Sequence, residues 1–195
     1  QLQIMKFAPA IAFQATENLS LGLALHIDYA TLDLREGSSS DYGLGVQLGV
    51  IYKPADSISL GFNYISPQSV THSTVAYLDM YSSDLKDLEL ESPQQAGLGV
   101  AYNWNETLIV EADAKWINWS GAAGYEDFDW DDQWVLAIGA QLKVIDKLYL
   151  RIGYNYAENP VKEHEGFDGS FGMSGPNSTV NIQGNTMPAY YYETF

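Results

Sequence analysis

The sequence contains no cysteine, which excludes a disulfide framework and any thiol chemistry. Basic residues are scarce: 9 Lys plus Arg stand against 25 Asp plus Glu, giving a formal net charge of −16. A nucleic-acid partner needs a basic surface to neutralise phosphates, so none is expected. No run approaches the roughly 18 uninterrupted apolar residues of a transmembrane helix. That absence leaves a membrane barrel open, because a barrel strand turns every second residue to a polar lumen. The three histidines, His26, His72 and His164, share no metal-ligand spacing, and no G-x-S-x-G elbow occurs. The G-x-G pairs Gly43/Gly45 and Gly97/Gly99 lie inside alternating runs and cannot open a phosphate-binding helix. No catalytic constellation is left, so neither an enzyme nor a cofactor is expected.

What is present is period-2 alternation over one domain of 195 residues. Leu19, Leu21, Leu23, Leu25, Ile27 and Tyr29 share one face, and Ser20, Gly22, Ala24, His26 and Asp28 the other. Leu44, Val46, Leu48, Val50 and Tyr52 repeat the pattern against Gly43, Gly45, Gln47 and Gly49. Similar runs start at Ile58, Leu98, Leu108, Trp134 and Leu148. Met5 to Phe13 is a weaker run containing Pro9, expected to be an edge or bent strand. About eight strands result, many near the roughly 9–11 residues that cross a bilayer at a tilt. Their apolar faces carry no Lys, Arg, Asp or Glu. A lipid-facing surface and a sandwich core would both exclude charge, so this purity alone does not choose between them.

The connections do choose. Short turns at 15–18, 54–57, 103–106 and around Asp146-Lys147 alternate with longer segments at 36–41, roughly 68–87 and 118–132. An up-and-down barrel with tight periplasmic turns and longer outer loops has this rhythm, and a Greek-key sandwich has no reason to. Tyr52, Tyr102 and Trp104 lie beside short turns, whereas Tyr29, Tyr64, Trp116, Trp134, Tyr154 and Tyr156 lie towards the long loops. Two aromatic belts at the membrane interfaces predict that placement. The fold class read from the pattern is all-β, an antiparallel up-and-down transmembrane β-barrel.

Lys6, Glu111, Asp113, Lys115, Lys143 and Arg151 fall on the polar sides of their strands and would line the lumen, where opposite charges can pair away from lipid. His26 beside Asp28 reads first as a structural polar pair. The acidic segment Glu126, Asp127, Asp129, Asp131 and Asp132, around Phe128 and Trp130, does not match an EF-hand and reads as a solvated outer loop. Divalent-bridged contact with lipopolysaccharide is a minor alternative.

Several segments, in order, resemble the outer-membrane long-chain fatty acid transporter family, which includes aromatic-hydrocarbon channels. They are Asp41 to Pro54, Leu60 to Pro67, Leu88 to Pro93 with Gly97 to Tyr102, Trp116 to Ser120, Trp134 to Ala140, Leu150 to Tyr156, and Asn159-Pro160-Val161. The resemblance implies a 14-stranded barrel plugged by an N-terminal hatch, localised in the bacterial outer membrane. It also implies passive, ligand-gated uptake of hydrophobic small molecules, notably long-chain fatty acids or hydrocarbons, with outer-membrane lipid and lipopolysaccharide as surroundings. The family's carboxylate-contacting arginine falls near Arg35, at the rim; Lys115, Arg151 and His26 are the further candidate substrate contacts. Residues 1–195 are expected to form a single partial barrel lacking the hatch, with 162–195 an extracellular loop and the start of a further strand. A small general porin and a secreted β-sandwich binding protein remain alternatives, distinguished by open aqueous conductance and by monodispersity without detergent.

Overall fold

The computed structural model describes residues 1–34, 37–76, 84–105, 107–161, 179–183 and 185–188. Eight wall segments form one antiparallel sheet in sequence order, as period-2 runs joined by tight turns require. They are β1 (Leu2–Phe7) with β2 (Ala10–Thr16), β3 (Leu19–Asp33), β4 (Ser38–Ala55), β5 (Ile58–Ile65), and then β8 (Gln95–Trp104), β9 (Leu108–Ile117), β10 (Gln133–Ile145) and β11 (Leu148–Ala157). Between β5 and β8 lie β6 (Gln68–Ala76) and β7 (Lys86–Ser92), which form a separate two-stranded sheet. A last small hairpin joins β12 (Thr179–Ile182) to β13 (Asn185–Pro188).

The weak first run is a bent strand interrupted at Pro9. β1 pairs with the far half of β3 and β2 with the near half, and Leu25 N still donates to Pro9 O at 3.1 Å across the break. Proline has no N–H to give the ladder, so the pairing with β3 divides around it.

Register places every apolar run on one continuous face. Leu23 sits opposite Leu48 and Leu48 opposite Tyr64. Phe62 sits opposite Leu98, Leu98 opposite Ala114, Ala114 opposite Leu136, and Leu136 opposite Tyr156. No second sheet covers this face among the described residues; its Leu, Ile, Val and Tyr side chains are exposed, and only six apolar residues are buried. A water-soluble sandwich would bury this face as its core, so hydrocarbon is the solvent it fits. Tyr42 and Tyr52 bracket the apolar stretch of β4. They stand about 33 Å apart along the strand at roughly 3.3 Å per residue, or about 25 Å of height at a tilt of roughly 40°, the height of a barrel's apolar band. Tyr29 packs on Tyr42 at 5.2 Å near the upper rim, and Tyr102 on Trp104 at 6.1 Å near the lower one.

Tight turns close the lower end. Ala55 pairs with Ile58, and Lys143 ion-pairs with Asp146 at 2.9 Å across the β10–β11 turn. Two expectations change at the upper end. The β3–β4 link is only 34–37, because both strands run past the alternating region to an Asp33–Ser38 pairing. There the inner positions Ala30 and Leu32 are apolar and buried, which ended the apolar/polar alternation before the strand ended. The segment read as a loop at 68–87 instead contains β6 and begins β7, folded against the inner faces of β4 and β3. In the terminal region, β12 and β13 pair with each other; the strand start expected at the extreme end lies outside the described residues.

Candidate functional site

The lumen side of β3 presents His26 and Asp28, and register brings Lys6 of β1 directly opposite Asp28. Lys6 Nζ lies 3.4 Å from Asp28 Oδ2, and the Asp28 side chain is 1% exposed. The same ammonium donates to Gln68 Oε1 at 2.5 Å and to His26 Nδ1 at 3.3 Å. A lysine ammonium can only donate, so Nδ1 accepts and the imidazole carries its proton on Nε2. Nε2 then donates to Gln47 Oε1 at 3.1 Å, and the Gln47 amide donates to Asn63 Oδ1 at 2.9 Å. One hydrogen-bonded chain therefore crosses β1, β3, β4 and β5, with every donor and acceptor sense consistent. The expected His26/Asp28 pair is bridged by Lys6.

Gln68 ties this chain to the inward hairpin. It opens β6, is buried, and donates from Nε2 to Ser66 O at 2.7 Å. Beyond it Val70, His72 and Val75 are buried too. Two glycines make room. A Cβ on Gly43 would stand 2.9 Å from Val70 Cγ2 and 3.1 Å from Ser69 O, and one on Gly45 would collide with the Gln68 side chain. We expect Gly43→Val to weaken docking of the hairpin by about 1–3 kcal/mol, the usual cost of overpacking. Amide exchange in β6 and β7 should accelerate accordingly while β9 and β10 stay protected; unchanged exchange in the hairpin would contradict this packing.

Three buried atoms here make no hydrogen bond of normal geometry: Asp28 Oδ1 and both ring nitrogens of His72. They border a cavity of about 20 Å³ shared with Gln68, Glu91 and Tyr125, room for about one water. Left dry, such groups cost about 1–3 kcal/mol each. Burial holds the His72 imidazole below its ordinary value, opposed in part by the Ser39 backbone and the charge of Asp41. An undocked hairpin would return the ring to about 6.5. The undocked state therefore binds the proton first. Docking is fully stable above that value and weakens as pH falls below it. Measured by hydrogen exchange, β6–β7 protection should decline on acidification from about pH 6.5. A hairpin whose protection ignores pH would refute this assignment.

Lower in the lumen the wall is paved with small residues. Gly22, Gly49, Gly61, Gly97 and Gly99 line a cavity of about 520 Å³ with Asn63, Asp113 and Lys115. A neighbouring cavity of about 550 Å³ is lined by Glu111, Asp113, Gln141, Arg151 and Asn155. The glycines let long side chains lie flat: Glu111 rests over Gly139 and Asp113 over Gly99. Arg151 Nε donates to Gln141 Oε1 at 2.6 Å, and its guanidinium stands 5.9 Å from the Tyr149 ring centre. Lys115 makes no ion pair among the described residues. Of the four candidate contacts, Lys115 and Arg151 line adjoining cavities and His26 sits in the bridge above them. Arg35 lies outside the described residues.

At the mouth, the acidic segment is pinned internally. Asp132 accepts from Trp116 Nε1 at 2.9 Å and Ser120 Oγ at 2.7 Å, and Trp119, Tyr125 and Trp130 pack with ring centres 4.8–5.2 Å apart. Among the described residues no three His, Asp or Glu side chains converge as metal ligands. Gln68 and His72 carried no signal in the sequence, because their segment lacks a strand-like apolar face of its own.

An exposed apolar belt, tight turns at one end and polar groups turned inward define a transmembrane β-barrel wall. The family described as Outer membrane protein transport protein (OMPP1/FadL/TodX) matches residues 30–166, and the chain belongs to it. That family is one of outer-membrane transport proteins. Solved structures agree on the fold. The toluene transporter TbuX of Ralstonia pickettii is 18% identical, with a TM-score of 0.61 over 81% of this chain and 56% of that one. A FadL homologue of Pseudomonas aeruginosa is 18% identical, with 0.62 over 82% and 50%. The toluene transporter TodX of Pseudomonas putida is 20% identical, with 0.58 over 80% and 55%. The chain spans about half the length of these relatives. No curated protein sequence matches it significantly.

Proposed function

We propose that the protein takes up hydrophobic small molecules, long-chain fatty acids or uncharged hydrocarbons, across the outer membrane by passive, ligand-gated diffusion through the barrel. The observation that carries this reading is the inward β6–β7 hairpin. It buries Gln68 and His72 over the lumen face of β3 and β4, where a general porin would hold open water. A fatty acid would have its carboxylate held by Lys115 and Arg151, with Arg35 as a rim contact; a hydrocarbon would need none of them. His26 is assigned to positioning the bridge rather than to direct contact.

The test is uptake of radiolabelled oleate and of toluene by the full-length protein in liposomes, with open-channel conductance recorded in parallel. Saturable uptake of either compound with negligible conductance is the expected result. Steady aqueous conductance without ligand preference would replace this reading with a porin. Lys115→Met with Arg151→Met separates the two substrate classes: a fall in oleate uptake of about tenfold with toluene unaffected assigns the fatty acid.

A further inference from the structure

We propose that the β6–β7 hairpin is a movable gate over the lumen, latched to the barrel wall through Lys6. The proposal rests on the transport reading above and adds the moving part. β5 and β8, which flank the hairpin in sequence, pair directly with each other from Ile58 opposite Tyr102 to Ile65 opposite Gln95. The hairpin gives no strand to the wall, and β6 and β7 pair only with each other. Lifting it therefore leaves the wall ladder whole.

Its two feet are anchored just outside a proline on each side. Before Pro67, Ser66 N donates to Val46 O at 2.9 Å; after Pro93, Gln94 O accepts from Asn118 N at 3.0 Å. Between these feet two hydrogen bonds tie β6 to the barrel wall among the described residues. Lys6 binds Gln68, and Ser73 N donates to Ser39 Oγ at 3.1 Å. Other features oppose the docked state. Thr74, a β-branched residue, sits at φ +52, where the β6–β7 register breaks between His72 and Ala76. His72 and one oxygen of Asp28 are buried without a hydrogen bond of normal geometry. The titratable groups facing His72 are Asp28 from β3, Asp41 from β4, Glu91 from β7 and Tyr125 from the mouth loop. A proton on His72 would be drawn towards those carboxylates, yet keeping it buried is the unfavourable part. These features offset part of the packing that docks the hairpin, as a gate that must release requires.

The hairpin is also wired to the mouth. Glu91 N donates to Ala123 O at 3.1 Å, and Gln183 bonds both Glu89 N and Glu89 O. A hydrophobic molecule entering among the mouth aromatics would disturb the loops that brace β7, which couples arrival to release of the latch.

A Ser39→Cys/Ser73→Cys pair in the full-length protein, with any other cysteine replaced, tests the gate, because Ser39 Oγ already meets Ser73 N at 3.1 Å. Oxidation should lower the initial rate of oleate or toluene uptake about tenfold, and reduction should restore it. Equal rates in the oxidised and reduced states would overturn the proposal. A second readout does not depend on transport. Amides in β6 and β7 should exchange about tenfold faster than those of β5 and β8, and faster again in Lys6→Met. A hairpin that exchanges as slowly as the wall and ignores Lys6→Met would overturn it equally. If no substrate crosses in any state, the transport reading falls, and exchange alone decides whether the hairpin moves.

Discussion

Ile138→Arg is expected to prevent stable assembly in the membrane, while Ala137→Arg, one residue away, is expected to be tolerated. Ile138 is 56% exposed on the apolar face of β10, opposite Ala112 and Tyr154 and midway along the belt that begins at Trp134. An arginine at the hydrocarbon midplane costs about 2–4 kcal/mol, a large share of the stability of a domain. Ala137 points the other way and pairs with Asp113 in register. There a guanidinium would meet water and a carboxylate. Denaturant unfolding in lipid vesicles, read with the shift in gel mobility of the unboiled barrel, measures both variants. Equal destabilisation, or a greater loss at 137, would mean that the two faces of the wall have been assigned to the wrong solvents.

The contrast between these neighbours also shows what the sequence makes legible. Strict alternation from Leu19 to Tyr29 or from Trp134 to Val144 needs only local information, because side chains on a strand change face at every residue. The wall, its order and its tight turns could therefore be read directly. Alternation as a guide to the wall fails where the inner side of a strand turns apolar. That occurs at Ala30 and Leu32, which are buried on the inner side of β3, where β6 packs, while Thr31 and Asp33 take the other side. The hairpin itself was hidden for the same reason in reverse. Gln68, Thr71, His72 and Ser73 resemble a polar loop, and the burial of Gln68 and Val70 among them depends on Gly45 and Gly43 of a distant strand leaving space for them. The candidate site was half visible. His26, Asp28 and Lys6 were each readable as lumen residues, but their convergence on Gln68 depends on the β1–β3 register and on an inward fold that no local pattern encodes.

Lys6→Met is expected to be the most damaging single change inside the lumen. It leaves the Asp28 carboxylate, 1% exposed, without its counter-ion and Gln68 without its donor. Removing one partner of a buried pair costs about 3–5 kcal/mol. Lys6 itself is 39% exposed, so part of the interaction is screened and the loss should be nearer 2–3 kcal/mol. The size of this effect comes mostly from the stranded charge. Asp28→Asn should consequently cost less, about 1 kcal/mol, because the Lys6 ammonium can turn to water in the lumen while keeping Gln68. In the double variant no buried charge is left, and it should be more stable than Lys6→Met alone. Non-additivity of about 1 kcal/mol or more in that cycle, by unfolding in vesicles, identifies the pair as coupled. Strict additivity would mean that Lys6 holds the hairpin through Gln68 alone, with Asp28 contributing nothing to the latch.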